Sequence, residues 1–287
     1  MRALHEDFGV EMEGIDLREA ASHFTQIREA FEEHSLLLFR NQCLDDEAHL
    51  AFGRLFGTVE IREKSPQEHD ARVSIVSNLR EGGRLADEES AAFQHQKANQ
   101  LWHTDSTFLP TPALANILAA RKLPSSGGET EFVSTRAAWR DLPESTRERT
   151  RNLVLRHRYA HSRMAVSPAA AALDIVTMWP DTAWRAIWRN PVNGAEALYI
   201  ASHAYGVVGM EEDEGRKLIE ELIEFSTRPQ RIYTHRWLPG DVIVWDERAT
   251  MHRGRSWPYG EERTLASICI TAGEADGLDL VRPASAA

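Results

Sequence analysis

The sequence contains few cysteines: Cys43 and Cys269 are the only two among 287 residues. They form no Cys-x-x-Cys pair, and this spacing argues against a zinc ribbon or a dithiol redox motif. Isolated cysteines of this kind are usually ordinary core residues. The cysteine content therefore favours a protein of the reducing cytoplasm.

Positive charge is also scarce, because 33 Lys and Arg stand against 44 Asp and Glu and leave a net charge of −11. Nucleic acids and anionic membranes need clustered Lys and Arg, so we expect neither as a partner. A small anionic substrate is still compatible with this charge, since one buried Arg can outweigh the global field locally. We therefore expect the partner to be a small molecule.

Long apolar runs are missing as well. No stretch approaches the roughly 20 apolar residues that cross a membrane. The first ten residues, MRALHEDFGV, hold no apolar run of signal-peptide length. We therefore expect no membrane association and a cytoplasmic location.

The chain shows no internal repeat, no low-complexity tract and no Pro/Gly/Ser-rich linker, so we expect residues 1–287 to form a single domain. Helical periodicity predicts helices over 17–34, 45–57 and 211–225. Asp45 and Gly57 suit the start and end of the second helix.

The remainder, and above all the second half, is rich in β-branched and aromatic segments. The predicted strands are 35–40, 197–201, 231–237, 241–246 and 264–271, with turns at 124–129 and 239–241. Strands of this length with Gly/Pro turns favour an antiparallel sandwich or jelly roll with helices packed outside. We therefore predict a mainly β fold with flanking helices.

The stretch LWHTDSTFLP, residues 101–110, places His103 and Asp105 two positions apart. On a strand, two such side chains share one face and could hold a metal. They could equally be two polar residues on a wet surface. The pattern alone is weak evidence, since another His-x-Asp stands near the beginning of the chain, at 5–7.

A third ligand and an anchor for a co-substrate strengthen the metal interpretation. Non-haem Fe(II) oxygenases hold their metal with two His and one carboxylate on one face. His252 follows the predicted strand DVIVWD and is the natural third ligand, although a loop His is the competing interpretation. Arg263 could bind the far carboxylate of a dicarboxylate co-substrate. Thr130, after the Gly turn, could add a hydroxyl donor. Taken separately, Arg263 is more often a surface residue and Thr130 an ordinary strand residue.

Taken in order, the segments WHTDSTF, PSSGGETEF and WDERATMHRG followed by Arg263 resemble the TfdA/TauD family of Fe(II)/2-oxoglutarate-dependent dioxygenases. The similarity covers nearly the whole chain and is closest to the aryloxyalkanoate (2,4-D) dioxygenase branch. It implies a double-stranded β-helix, the cupin-like jelly roll. It also implies that His103, Asp105 and His252 bind Fe(II) and that Thr130 and Arg263 hold the distal carboxylate of 2-oxoglutarate.

The activity implied by this resemblance is hydroxylation of an unactivated C–H bond with O2, releasing succinate and CO2. The substrate would be a small organic molecule, such as an aryloxyalkanoate-like or other organic acid. Because family members are commonly dimers or tetramers, we expect a homo-oligomer. A sulfonate, an alkyl sulfate and an amino-acid derivative are the alternative substrates.

One departure from the family pattern concerns the substrate. Relatives that act on sulfonates or aryloxy acids often carry a second Arg four residues after the 2-oxoglutarate Arg, and here that residue is Ser267. A serine offers one neutral hydrogen bond in place of a charge-assisted pair. Asn99 occupies a position that lines the pocket in taurine-type members. Other candidates for the substrate's polar end are His95, Lys97, His203 and Tyr205. A solvated side chain is the competing interpretation for each and is favoured for His95 and Lys97, whereas His203 follows an apolar strand and could face the pocket.

Two other functions are compatible with parts of the pattern. A non-catalytic cupin-like metal-binding or sensor protein would share the jelly roll but would have no use for Arg263 and Thr130. A Zn(II) hydrolase with two His and one Asp would need a general base, for which Glu129 or Glu247 could be offered.

Overall fold

The computed structural model describes residues 1–61 and 72–284, and its strands form one large and three small sheets. The strands are β1 (Arg2–Ala3), β2 (Val10–Glu11), β3 (Leu36–Phe39), β4 (Ser74–Ser77), β5 (Ala113–Lys122), β6 (Thr130–Ser134), β7 (Val154–His157), β8 (Thr182–Arg185), β9 (Ile187–Arg189), β10 (Glu196–Leu198), β11 (Ala204–Val207), β12 (Tyr233–His235), β13 (Val242–Asp246), β14 (Thr250–Gly254) and β15 (Thr264–Thr271). The large sheet has the order β1-β2-β3-β13-β5-β15-β4. It is mixed, because β2 and β3 pair in parallel while the other neighbours are antiparallel.

Helices surround these sheets. The α-helices are α1 (Phe24–His34), α2 (Asp46–Phe56), α3 (Ala91–Lys97), α4 (Thr135–Asp141), α5 (Glu144–Thr150), α6 (Tyr159–Met164), α7 (Pro168–Ala171), α8 (Asp174–Thr177), α9 (Glu212–Ser226) and α10 (Leu278–Val281). Short 3-10 helices span Leu17–His23, Glu81–Gly83, Ala98–Gln100, Pro229–Arg231 and Glu274–Asp276. None of the helices in the described ranges is both long and apolar enough to cross a membrane.

The predicted helices exist, with one change. The expected helix over 17–34 begins as a 3-10 segment and continues as α1 from Phe24. Its apolar side chains follow helical spacing in both parts, so sequence periodicity does not distinguish them. The helix α2 starts where its cap chemistry predicts, because the Asp45 carboxylate accepts a hydrogen bond from the Ala48 amide at 2.8 Å.

The predicted strands fall in the right places, but two are too long. The structure confirms 264–271 in full as β15 and 241–246 closely as β13. The segment predicted at 197–201 pairs only over Glu196–Leu198, and that predicted at 231–237 only over Tyr233–His235. A segment forms a strand only where a neighbouring strand is available for hydrogen bonding. Apolar, β-prone residues can therefore continue past the last paired residue.

Alternation along the strands gives the large sheet two buried faces. Leu37 and Phe39 of β3 point to the apolar cluster shared with α1 and α2, whereas Leu36 and Leu38 point to the opposite side. On that opposite side the three-stranded sheet β12-β6-β14 packs against the large sheet, with Phe132 of β6 at 5.2 Å from the Trp245 ring. The coarse prediction is thereby confirmed: a β core with helices packed outside.

Several candidate site residues lie between the two facing sheets. The face of the large sheet that carries Leu118 and Leu265 also carries Asn116 and Ser267, two residues away on the same strands. His252 stands on β14 in the facing sheet, paired with Phe132. A cavity opens between these walls.

Candidate metal centre and substrate cavity

The two candidate histidine ligands are joined by their backbones. His103 donates its amide to the His252 carbonyl at 3.0 Å, and His252 donates to the His103 carbonyl at 2.8 Å. Asp105 does not share a regular strand with His103, as the spacing argument supposed; it lies in a turn that continues through Ser106, at φ +57°. A turn, and not strand alternation, thus directs the carboxylate back towards the histidines.

The structure brings all three candidate ligands together. Their ligand atoms lie within 4.8 Å of one another. Nε2 of His103 is 3.8 Å from Oδ1 of Asp105, and Nε2 of His252 is 3.7 Å from Oδ2. Two imidazole nitrogens and one carboxylate oxygen on a common side form the donor set that suits non-haem Fe(II).

The protonation state of the histidines also fits a metal. Burial lowers the pKa of His252 to about 3 and lowers that of His103, so both rings are neutral at physiological pH. The Nδ1–H of His103 donates to the Leu101 carbonyl at 2.7 Å, which leaves the lone pair on Nε2. That is the nitrogen that faces Asp105, as a ligating imidazole requires.

A chain of hydrogen bonds fixes the carboxylate. Asn116 donates from Nδ2 to Oδ2 of Asp105 at 2.6 Å, and Ser267 donates its hydroxyl to Asn116 Oδ1 at 2.8 Å. Glu247 accepts from the Asp105 amide at 3.0 Å and from the Trp245 indole at 2.6 Å. Burial, followed by the nearby charge of Asp105, raises the pKa of Glu247 well above its ordinary value. Hydrogen bonds therefore hold both the backbone amide and the side-chain carboxylate of Asp105.

The cavity beside these ligands has a volume of about 280 Å³. Its wall includes nearly every residue proposed from the sequence: the three candidate ligands with Thr130, Arg263, Asn99, Lys97, His95, His203 and Ser267. Tyr205 was a wrong choice. Its hydroxyl donates to Asp181 at 2.7 Å, and its ring lies under Arg158 at 4.4 Å, outside the cavity wall that the structure describes.

Arg263 forms one end of the cavity. Its guanidinium donates to the Gly128 carbonyl from Nε at 3.0 Å and from Nη2 at 2.8 Å, and it lies 5.1 Å from the centre of the Trp257 ring. Burial lowers the pKa of Arg263 to about 10, so the group is still cationic at neutral pH. Gly128 permits this approach, because it has φ +71° and a Cβ there would lie 2.8 Å from Arg263 Nε.

Thr130 is oriented as a donor. Its Oγ1 accepts a hydrogen bond from the Trp237 indole at 3.0 Å. A hydroxyl whose oxygen already accepts has its own proton to give. Thr130 is buried in the same wall as Arg263, so the pair offers a cation and a hydroxyl donor to one anionic group.

The candidate substrate residues differ in burial. His203 is fully buried, with its ring 6.3 Å from that of His103. Lys97 is 29% exposed, lies 5.2 Å from the Phe93 ring centre and has Nζ 3.9 Å from Glu88. Ser267 lines the cavity, but its hydroxyl is directed to Asn116.

Asn116 and Arg163 are two polar residues of this wall that were not proposed from the sequence. Asn116 gave a usable signal, because it is a lone amide in the apolar strand ALANILAA and buried polar groups need partners. Arg163, on the short helix α6, gave none, since an Arg in a polar helix is usually solvated. The structure instead buries Arg163 beside Asn99 and Tyr159.

Comparison with known proteins gives consistent matches. The family model described as "Taurine catabolism dioxygenase TauD, TfdA family" matches residues 1–269. The alpha-ketoglutarate-dependent 2,4-dichlorophenoxyacetate dioxygenase of Burkholderia sp. is 32% identical over 269 residues, which cover 91% of each chain. The (S)-phenoxypropionate/alpha-ketoglutarate-dioxygenase of Sphingobium herbicidovorans is 30% identical over 267 residues, which cover 90% of each. The crystal structure of AAD-2 in complex with Mn(II) and N-oxalylglycine superposes with a TM-score of 0.88 at 30% identity, covering 96% of this chain and 98% of that one.

Proposed function

The chain belongs to the TauD/TfdA family and is an Fe(II)- and 2-oxoglutarate-dependent dioxygenase, and on that basis we propose that His103, Asp105 and His252 bind its Fe(II). The observation that carries the proposal is the convergence of their ligand atoms within 4.8 Å at the wall of the cavity. Such a donor set would leave coordination positions open for the co-substrate and O2.

Arg263 and Thr130 hold the distal carboxylate of 2-oxoglutarate. A buried guanidinium forms charge-assisted hydrogen bonds with a carboxylate, and such bonds are about twice as strong as neutral ones. The indole of Trp237 sets the direction of the Thr130 hydroxyl, and Gly128 together with Trp257 fixes the guanidinium plane. These contacts orient the co-substrate towards the metal.

When bound, Fe(II) with 2-oxoglutarate and O2 supplies the oxidant that converts a substrate C–H to C–OH while 2-oxoglutarate becomes succinate and CO2. The protein's side chains position the substrate and exclude water around it. The cavity of about 280 Å³ lies just below the roughly 300–1,000 Å³ of typical ligand pockets, which favours a small molecule. We therefore propose a small organic acid, with the aryloxy acids of the relatives' names as the first class to test.

The finer architecture and the assembly are part of this proposal. The two facing sheets and their mainly antiparallel pairing support a double-stranded β-helix, the cupin-like jelly roll, in a single domain over 1–287. A homo-oligomer is proposed from the resemblance to the family, and a cytoplasmic location is proposed from the low cysteine content of the sequence. Light scattering coupled to size exclusion measures the oligomeric state.

The test of the proposed function has two stages. Anaerobic protein with Fe(II) and 2-oxoglutarate should give the weak visible charge-transfer band of the chelated metal, which a zinc hydrolase would not produce. Addition of O2 and a suitable acid should then yield succinate together with hydroxylated product, and His103→Ala and Asp105→Ala should abolish both. Undiminished turnover in these two variants would show that the ligand assignment is wrong.

A further inference from the structure

Aromatic side chains alternate along the segment YTHRW, residues 233–237, and the proposed function uses only the last of them. Tyr233 and His235 share one face of β12, and Trp237 follows two residues later. Because β12 pairs His235 with Thr130 of β6, this face also carries Thr130. The segment therefore brings a buried histidine next to the part of the cavity where we place the distal carboxylate of 2-oxoglutarate.

Trp237 connects His235 to Thr130. Pairing between β12 and β6 ends at His235, and the side chain of Trp237 is only partly buried, so the sheet does not hold the indole. The indole donates to Oγ1 of Thr130 at 3.0 Å. Its ring is perpendicular to that of His235, with centres 4.6 Å apart and an angle of 88° between the planes, a geometry that aromatic pairs prefer. The position of the indole thus depends on the imidazole.

Hydrogen bonds fix the His235 ring at both nitrogens. Nε2 lies 3.0 Å from Oδ2 of Asp241, and because a carboxylate only accepts, Nε2 carries the proton. Burial lowers the pKa of His235, so the ring is neutral and Nδ1 is an acceptor. The Tyr233 hydroxyl, whose pKa burial raises to about 12, donates to Nδ1 at 3.1 Å. Rotation of the imidazole would break both bonds.

The Asp241 carboxylate is fixed in its turn by the large sheet. It is fully buried just before β13, and Oδ2 also accepts from Arg40 Nη1 at 2.6 Å and from the Leu238 amide at 2.8 Å. Arg40 directly follows β3, the neighbour of β13 in that sheet. Contacts therefore run without interruption from the large sheet through Asp241 and His235 to Trp237.

We propose that His235 is a positioning residue for 2-oxoglutarate. Held by Asp241, its ring sets the place of Trp237, whose indole directs the Thr130 hydroxyl to the distal carboxylate. Neither His235 nor Trp237 belongs to the cavity wall that the structure describes, so the imidazole acts on the co-substrate through Thr130. This inference rests on the proposed function, in which Thr130 binds that carboxylate.

The experiment is a double-mutant cycle between His235 and Thr130, because a cycle separates an effect that passes through Thr130 from a general loss of stability. The dissociation constant of 2-oxoglutarate is measured anaerobically from the Fe(II)/2-oxoglutarate band for the wild type, His235→Leu, Thr130→Val and the double variant. This measurement needs neither turnover nor a substrate. His49→Leu is the matched control, because His49 is also fully buried, contacts the Ile117 carbonyl and lies outside the described cavity wall.

We expect His235→Leu to weaken binding of 2-oxoglutarate about 5- to 50-fold, because the hydroxyl loses much of its hydrogen bond to a charged group. In the Thr130→Val background the same change should cost less than about twofold, since the hydroxyl is already absent. His235→Phe keeps a ring against Trp237 and should recover part of the affinity. Tyr233→Phe removes only the bond at Nδ1 and should have a smaller effect. Fe(II) affinity should be unchanged in all of these variants.

Three results would overturn the inference. They are unchanged affinity in His235→Leu, an equal loss in the two backgrounds, or an equal loss in His49→Leu. Absence of the band in the wild type would instead mark failure of the proposed function, and unchanged affinity in Thr130→Val would refute the role of Thr130 and this inference with it. If His235→Leu does not fold, Tyr233→Phe changes a partly exposed side chain and carries the same comparison between backgrounds.

Discussion

Asn116 donates its side-chain amide to Oδ2 of Asp105 over 2.6 Å, and the opposite end of the same amide accepts the hydroxyl of Ser267. Because a carboxylate only accepts hydrogen bonds, Asp105 fixes which end of the amide faces it, and the Ser267 hydroxyl then donates to the other end. Asn116 and Ser267 lie on adjacent strands of the large sheet, and both are buried. The sheet thus orients a candidate metal ligand that lies outside it in a turn.

Replacing Asn116 should weaken metal binding. Asn116→Ala removes the donor to Asp105, and loss of such a supporting hydrogen bond typically lowers metal affinity about 10- to 100-fold. Asn116→Asp should be worse, because it places a second negative charge beside the carboxylate. Anaerobic Fe(II) titration measures the affinity, and Ser267→Ala, which removes only the outer bond, is the milder control. Unchanged affinity in Asn116→Ala would mean that the amide does not orient the ligand.

Gly128→Ala should impair binding of 2-oxoglutarate. A Cβ at this position would lie 2.8 Å from Arg263 Nε, so the guanidinium must move, and the φ of +71° strains any other residue. We expect the KM for 2-oxoglutarate to rise at least about tenfold, the loss of one well-placed charge-assisted bond. Gly260→Ala is the matched control, because its Cβ would meet nothing within 4 Å. Similar KM values in both variants would contradict the assignment of Arg263.

Thr130→Val tests the hydroxyl donor with little change in shape. The variant cannot bond to the distal carboxylate, and it leaves the Trp237 indole without its acceptor. Loss of one hydrogen bond to a charged group predicts a KM for 2-oxoglutarate raised by about 10- to 100-fold, with Fe(II) affinity unchanged. Steady-state kinetics with varied 2-oxoglutarate measures it, and Thr130→Ser should recover most of the loss. If Thr130→Ser is as impaired as Thr130→Val, the hydroxyl is not the relevant group.

The features of the fold and site that could be predicted from the sequence are those encoded by local residue patterns. Asp45 marks the start of α2, and short runs of β-branched and apolar residues mark β13 and β15. The three candidate metal ligands could be proposed from the sequence because their order and spacing along the chain do not depend on whether the local backbone is a strand or a turn. These ligands are His103, Asp105 and His252. The prediction that His103 and Asp105 share a strand was wrong. His103 forms an isolated β-bridge with His252 and Asp105 lies in the turn that follows, an arrangement that a spacing of two residues cannot distinguish from a strand.

The rest depends on contacts that no local pattern encodes. Arg163 comes near the metal ligands only because α6 packs over the region of His203, and nothing in YAHSRMA signals this. The use of Ser267 in supporting Asp105 requires the register between β5 and β15, which pairs Ser267 with Leu118. Pairing register between distant strands is set by the whole sheet.

Glu32 should make stability depend on acid pH. Burial raises the pKa of this carboxyl, but the charges of Arg248 and Arg28 with an Asn190 hydrogen bond outweigh it and hold the pKa below the ordinary 4.5. A lowered folded-state pKa contributes stability that is present above pH 4.5 and lost as pH falls through the folded value. Glu32→Gln should therefore cost about 3–5 kcal/mol at pH 7, and the gap from wild type should shrink below pH 4.5.

Urea unfolding at a series of pH values measures this dependence for Glu32→Gln. The matched control is Glu144→Gln, which breaks an exposed pair with Arg147 and should cost less than about 1 kcal/mol at every pH. A constant gap between Glu32→Gln and the wild type from pH 7 to pH 3 would refute the role assigned to the ionised carboxylate.

The most direct test of the central claim is an iron-edge anomalous difference map from crystals grown anaerobically with Fe(II) and 2-oxoglutarate. We expect one strong peak about 2 Å from Nε2 of His103, Nε2 of His252 and a carboxylate oxygen of Asp105, with the co-substrate extending from it to Arg263. A peak elsewhere, or none while 2-oxoglutarate is bound, would contradict it.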